Sequence, residues 1–191
     1  MLPCDILSSM KTRQNGLTLI ELLVVVAIAA VLASLAVPSF RTMLVGRSVQ
    51  SAALALVSDM RFARAEALKR SRSVVMCSLA TGSTTACSGT TAMWANGWLV
   101  FVDANNNWQL DVGEDVLRVQ QAPANIASIQ GAIPANDLPQ FKFESNGWAK
   151  AATQTFTFTP SGSVPANATR LVCISMQGRP SLRAQGATAC N

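Results

Sequence analysis

The stretch MKTRQNGLTLIELLVVVAIAAVLASLAVPSF, residues 10–40, decides how this chain is read. From Leu17 to Val37 its one charged side chain is Glu21. A bilayer core takes about 20 apolar residues as helix, so residues 17–38 are long and apolar enough to span one. Lys11 and Arg13 form a short basic flank ahead of the run, and such flanks stay on the cytoplasmic side. Met10 offers a second start, which would leave residues 1–9 outside the protein. Two plain readings fit this much. One is a secretory signal cut near Ala36, where Ala33, Ser34 and Ala36 supply small residues. The other is a simple single-span anchor. Neither accounts for Gly16 immediately before the run, nor for Glu21 five residues beyond it. A carboxylate at the centre of a bilayer costs about 2.5–3.5 kcal/mol on insertion scales and needs a partner.

Gly16, Leu17 and Glu21 with the apolar run closely resemble the class III signal of type IV prepilins. The resemblance implies that a dedicated membrane peptidase cuts after Gly16 and that the new N-terminus, Leu17, is N-methylated. It also implies that Glu21 pairs with the N-terminal amine of a neighbouring subunit, neutralising both charges inside a filament. Pro38 matches the helix proline of that family. Leu17 departs from the commonest residue there, phenylalanine, in a way the family tolerates. On this reading residues 1–16 are a leader peptide and 17–38 a transmembrane helix segment.

Residues 39–72 carry helical periodicity: Val49, Ala52, Ala53, Leu56, Val57, Met60, Ala63, Ala67 and Leu68 recur at three- and four-residue spacing. Arg61, Glu66, Lys69 and Arg70 fall mostly on the other side, and Glu66 can support Arg70 one turn on. An amphipathic helix predicted here needs a sheet to cover its apolar stripe. From Ser73 the pattern changes to short strands, predicted at 73–78, 98–102, 116–120, 126–130, 140–144, 154–159 and 170–176. Phe156 and Phe158 alternate with Thr155, Thr157 and Thr159 as a half-buried strand requires. Asn96-Gly97 and Asn146-Gly147 are turn signals, each followed by tryptophan.

The chain has 191 residues, which suits one globular domain and an appendage. Half of them are hydrophobic, too many for a disordered chain. The formal net charge is +5, and its distribution says more than its size. Acidic residues cluster at Asp103, Asp111, Glu114 and Asp115. None follows Glu144, whereas Lys150, Arg170, Arg179 and Arg183 do. Histidine is absent, which removes the commonest general base and metal ligand. Without a nucleophile motif or phosphate loop either, the chain is expected to be no enzyme and to need no cofactor. Of five cysteines, Cys4 precedes the apolar run. The other four suggest two disulfides in an exported domain. Three connectivities are open, and the expectation taken is the sequence-local one, Cys77–Cys87 and Cys173–Cys190.

The segments MCSLATGSTTAC, WANGWLVFVDANNN and GEDVLRV together resemble the FimT/GspH group of minor pilins and pseudopilins. A cysteine pair (Cys77, Cys87) follows the first strand. A Gly97-Trp98 strand then leads to an Asp/Asn turn at Asp103–Asn107 and a Val116-Leu117-Arg118 strand. The resemblance covers nearly the whole chain and is strongest up to Arg118. It implies an α+β, type IV pilin-like fold: a long N-terminal helix, transmembrane then amphipathic, packed on an antiparallel β domain over residues 73–191. It also implies a minor type IV pilin active in pilus assembly or priming, or else a minor pseudopilin of type II secretion. The implied partners are major and minor pilins, the prepilin peptidase and the inner-membrane assembly platform. The implied location is the bacterial inner membrane, single-pass with a periplasmic domain, and the cell surface once assembled.

Three sets of residues are candidate sites. Gly178-Arg179-Pro180-Ser181-Leu182-Arg183 resembles the C-terminal Gly-Arg-x-Arg motif of FimT-like minor pilins, linked to DNA capture in natural transformation. Gly178 and Arg179 match, Ser181 takes the place of the second arginine, and Arg183 lies two further on. Arginine forks grip phosphates, so Arg179 and Arg183, with Arg170 and Lys150, are candidates for double-stranded DNA. The plainer reading is a solvated basic hairpin. Asp103, Asn105, Asn107, Asp111 and Glu114 place oxygens at the spacing of a calcium loop. Trp108 stands where that loop needs glycine and no flanking helices are predicted, so a polar turn is favoured. Arg61, Arg64, Lys69, Arg70 and Arg72 could join a nucleic-acid groove, although a solvated helix face accounts for them.

Overall fold

The computed structural model describes residues 16, 18–89, 92–133, 136–137, 139–150, 154–162 and 168–190. Leu17 and residues 1–15 of the expected leader lie outside them. Helix α1 runs Leu19–Arg70, and the chain divides into two compact units, one ending at Phe40 and one at Arg41–Asn191.

The first unit contains the start of α1. Its leucines, valines and isoleucines are exposed along their length, and the segment is long and apolar enough to cross a membrane. The helix opens with a capping box. Thr18 Oγ1 accepts the Glu21 backbone N–H at 3.3 Å, and Glu21 Oε2 accepts the Thr18 N–H at 3.3 Å. Two orphan donors of the first turn are thereby satisfied reciprocally. A local reason for a carboxylate at Glu21 thus exists in the chain itself, and Thr18-Leu-Ile-Glu21 carried that signal in the sequence.

In the second unit α1 continues to Arg70. Val49, Ala52, Ala53, Leu56, Val57, Met60, Ala63 and Ala67 are buried along one stripe, and the four alanines let strands approach the helix closely. Leu68, expected on that stripe, is instead 49 % exposed. It follows Ala67 by one residue, a 100° step that carries it off the buried face. The helix stops at Arg70, two residues before the expected end. Ser71 adopts φ 52°, and Arg72 N–H reaches back to Ala67 O at 3.3 Å, the closure that satisfies the last carbonyls.

Among the described residues ten strands follow: β1 (Ser73–Ser78), β2 (Gly97–Asp103), β3 (Val116–Gln121), β4 (Ile126–Ile133), β5 (Asn136–Asp137), β6 (Gln140–Phe143), β7 (Ala149–Lys150), β8 (Gln154–Pro160), β9 (Arg170–Ile174) and β10 (Pro180–Leu182). They make two antiparallel sheets, ordered β3-β2-β1-β6-β7 and β10-β9-β8-β4-β5. The seven expected strands are present. The short β5, β7 and β10 were not expected, because two or three residues carry no readable alternation. β9 ends at Ile174, not Met176, because Ser175–Gly178 turns, with Gly178 N–H on Ser175 O at 2.8 Å.

One core joins both sheets to the helix through Val74, Met76, Trp98, Val100, Phe141, Phe143, Phe156, Phe158, Val172 and Ile174. A smaller core on the far face of the first sheet gathers Val75, Cys77, Leu79, Leu99 and Phe101. This second core explains why β2 is buried at every residue. Asn96-Gly97 does mark a turn, although not one that joins two paired strands. A 3-10 turn, Trp94–Asn96, runs straight into β2, and Gly97, at φ 104°, lies so close to β3 that a Cβ would sit 2.1 Å from Gln120 O. Asn146-Gly147 does turn the chain, between β6 and β7.

Candidate functional site: an arginine cleft at the last hairpin

The turn Ser175–Arg179 joins β9 to β10 and packs against the end of α1. Gly178 makes the approach possible. Its φ is 71°, and a Cβ there would stand 2.4 Å from Gly147 O and 3.1 Å from Phe143 Cε1. Gly147, in the β6–β7 turn, is likewise pressed against Leu68 and Arg64. Arg64 Nε donates to Gly147 O at 3.0 Å. The β6–β7 turn is therefore clipped to one helical arginine, and the β9–β10 turn packs beside it.

Beside this clip lies a cleft of about 500 Å³ lined by Arg61, Arg64, Ala65, Leu68, Gly178, Arg179 and Pro180. Its walls are mostly apolar and its charge is all of one sign. Among the described residues, no carboxylate lies within ion-pair distance of Arg61, Arg64 or Arg179. A concave, low-dielectric wall strengthens the field of such charges and raises the local concentration of anions.

The four tail cations expected to act together are separated. Arg179 lines the cleft, whereas Arg170, Arg183 and Lys150 do not. Arg170 donates from Nη2 to Gln185 Oε1 at 3.2 Å. Arg183 donates its backbone N–H to Leu171 O, continuing the β9–β10 ladder by one residue. Lys150 Nζ stands 3.9 Å from Glu144. The helix cations divide too. Lys69 and Arg70 engage Glu66, Arg70 also bridges to Asp115 at 2.8 Å, and Arg72 Nη1 donates to Ala104 O. Arg61 and Arg64 remain to join Arg179. The hydrogen bond from Arg70 holds the Glu66 carboxyl below the usual carboxylate range.

The Asp/Asn loop turns its oxygens inward on its own donors. Asp103 accepts from the backbone of Asn107 and Trp108 at 3.0 and 3.2 Å. Asp111 accepts from the side chains of Asn105 and Asn107, both at 2.7 Å. Glu114 accepts from the backbone of Ala104 and Asp111. Trp108, at φ 70°, fills the position a calcium loop reserves for glycine. Among the described residues, no group of three or more acidic or thiol side chains is arranged to hold a metal ion. Disulfides join Cys77 to Cys87 and Cys173 to Cys190. The first closes the cover of the smaller core, and the second ties the tail back to β9.

Residues 52–178 match the family described as Type II transport protein GspH, and residues 11–37 match the prokaryotic N-terminal methylation motif. The chain is 33 % identical to the pilin-like protein PilA1 of Thermus thermophilus, over 88 % of this chain and 98 % of that one. The minor pseudopilin EpsH of the Vibrio cholerae type 2 secretion system shares the fold, with TM-score 0.51 and 12 % identity over 72 % of this chain and 97 % of that one. The type IV minor pilin FimU of Pseudomonas aeruginosa aligns with TM-score 0.49 and 18 % identity over 71 % and 92 %. Pilins and pseudopilins are structural subunits that assemble with one another and are processed at the methylation motif, so this protein is no enzyme and its apolar helix is a membrane anchor. The chain belongs to the GspH family of type IV pilin-like proteins.

Proposed function

We propose that this subunit is a minor type IV pilin that helps to start or prime a pilus and captures double-stranded DNA, without sequence preference, at the cleft of Arg61, Arg64 and Arg179. The observation that carries the reading is that three arginines line one cleft, with no carboxylate in ion-pair range of any of them among the described residues. Guanidinium groups grip phosphodiesters bidentately, and phosphate contacts supply essentially all non-specific DNA affinity. Arg183, Arg170 and Lys150 lie outside the cleft and serve a longer duplex as secondary contacts. Processing after Gly16, methylation of Leu17 and pairing of Glu21 with a neighbour's N-terminal amine complete the assembly pathway. The anchor, residues 17–38, then holds a periplasmic domain to the inner membrane until the subunit enters the filament.

The test uses residues 41–191, which contain the whole core, titrated against random duplex DNA. Arg61→Ala with Arg179→Ala should lower affinity by at least tenfold. Equal binding by wild type and double variant would remove the cleft from the mechanism. Arg64 is left in place because it also clips the β6–β7 turn.

A second reading is a minor pseudopilin of type II secretion, and the description of the matched family supports it. The cleft would then receive an acidic face of a neighbouring tip subunit. Deletion of the gene separates the two: loss of transformation with secretion intact supports the pilin, and the reverse supports the pseudopilin.

A further inference from the structure

Lys142, Asp103 and Asn106 form a cluster remote in role from the arginine cleft. Lys142 lies on β6 between Phe141 and Phe143, which point into the main core, so its side chain leaves the opposite face of the sheet. That side chain is 1 % exposed and that of Asp103 is fully buried. Lys142 Nζ donates to Asn106 Oδ1. It stands 4.0 Å from Asp103 Oδ2 and 4.5 Å from the centroid of the Trp108 ring. Asn106 Oδ1 also accepts from Ser73 Oγ at 3.2 Å, so the carboxamide is held with its oxygen turned toward the amine. A carbonyl carbon lies about 1.2 Å behind its oxygen, which brings an amine, an amide carbon and a carboxylate together in one fixed arrangement. Such positioning raises the effective concentration of reacting groups by orders of magnitude. Burial pushes the Lys142 ammonium toward the neutral amine, with the Asp103 charge opposing, and the neutral amine is the nucleophilic form.

We infer that Lys142 and Asn106 become joined by an intramolecular isopeptide bond, with Asp103 relaying the protons. The Lys142 ammonium passes a proton to the Asp103 carboxylate, and the free amine adds to Cγ of Asn106. A second proton follows the same route to Nδ2. The Nζ–Cγ bond forms, the Cγ–Nδ2 bond breaks, and the two protons given up by Lys142 leave with Nδ2 as ammonium. Asp103 ends ionised, and neither oxidant nor cofactor is consumed. A cleft of about 530 Å³ that includes Arg72, Ser73, Asp103 and Asn106 in its lining opens beside the cluster and gives ammonium an exit. The product ties the β2–β3 loop covalently to β6 across the outer face of the first sheet.

The bond is read by tryptic mapping of the full chain, extracted from membranes in detergent and reduced. Trypsin cuts after Arg72, Arg118, Lys142 and Lys150. If Lys142 is acylated, cleavage there fails, and segment 73–118 emerges joined to segment 119–150, lighter by one ammonia than the two together. Asn106→Ala should abolish the branched peptide completely and release a free 119–142 segment. A wild-type chain that yields free 119–142 quantitatively overturns the inference. So does a branched peptide that persists in Asn106→Ala.

Discussion

Asp59, on the helix, accepts the Trp98 indole N–H at 2.8 Å, and both residues are buried. The other carboxylate oxygen accepts from Arg118 Nη1 at 2.6 Å, and the Arg118 guanidinium lies 3.9 Å from the centroid of the Phe62 ring. One carboxylate thus docks the helix onto β2 and β3 together. Replacing it leaves a buried indole N–H without its acceptor, a loss worth about 1–3 kcal/mol, while the half-exposed guanidinium turns to water. Asp59→Ala is therefore expected to lower the urea midpoint strongly with little change in m-value, as measured by equilibrium unfolding of residues 41–191.

Gly178 couples the fold to the cleft. Alanine there must either adopt a left-handed φ of 71° or push away from Gly147 O. The strain is on the order of 1–3 kcal/mol. Gly178→Ala should weaken DNA binding several-fold although Arg179 remains, because the turn that presents Arg179 is displaced. Unchanged DNA affinity would show that Arg179 acts independently of the turn.

Acid sensitivity has an identifiable contributor. The Glu66 carboxyl is held below its ordinary value of 4.5, chiefly by its hydrogen bond from Arg70. A carboxyl depressed in the folded state contributes stability that is present above its unfolded pKa and lost as pH falls through the folded one. Wild type should therefore lose this contribution below about pH 4.5, and Glu66→Gln should show a flatter acid limb. Thermal midpoints measured from pH 6 down to pH 3 (roughly the carboxylate window) compare the two directly.

The Cys173–Cys190 disulfide closes a loop with a sequence separation of 17, and constraining a loop of that size is worth about 3 kcal/mol in the chain-entropy account. Cys190→Ser should lower stability by up to that amount and expose the bonds after Arg183 to limited proteolysis. The Cys77–Cys87 disulfide also covers the smaller core, so Cys77→Ser should cost more than its shorter loop alone implies.

Much of the fold was legible because its signals are local. The apolar run, the alanine-rich stripe from Val49 to Ala67 and the Phe/Thr alternation of β8 each repeat over enough residues to stand out. The division into two sheets was not legible. It depends on which strands pair across long separations, as when β1 takes β6 as its second neighbour. Leu68 read as core because periodicity leaves a residue at the edge of a stripe undecided. Within the cleft, Arg179 carried a motif but Arg61 and Arg64 read as an ordinary helix face. Their meeting depends on Gly147 and Gly178 packing on Arg64, a close approach that no spacing in the chain reveals. Arg170 and Arg183 are near Arg179 in sequence, yet the β9–β10 ladder carries them away from the turn.

The most direct test of the account is the salt dependence of DNA binding by residues 41–191. If arginine–phosphate contacts in the cleft carry the affinity, log K should fall linearly with log salt, with a slope of about −2 to −3 for two to three phosphates neutralised. Arg179→Ala should reduce that slope by about 1, the share of a single contact. A slope near zero, or one unchanged in Arg179→Ala, would contradict the assignment of DNA capture to this cleft.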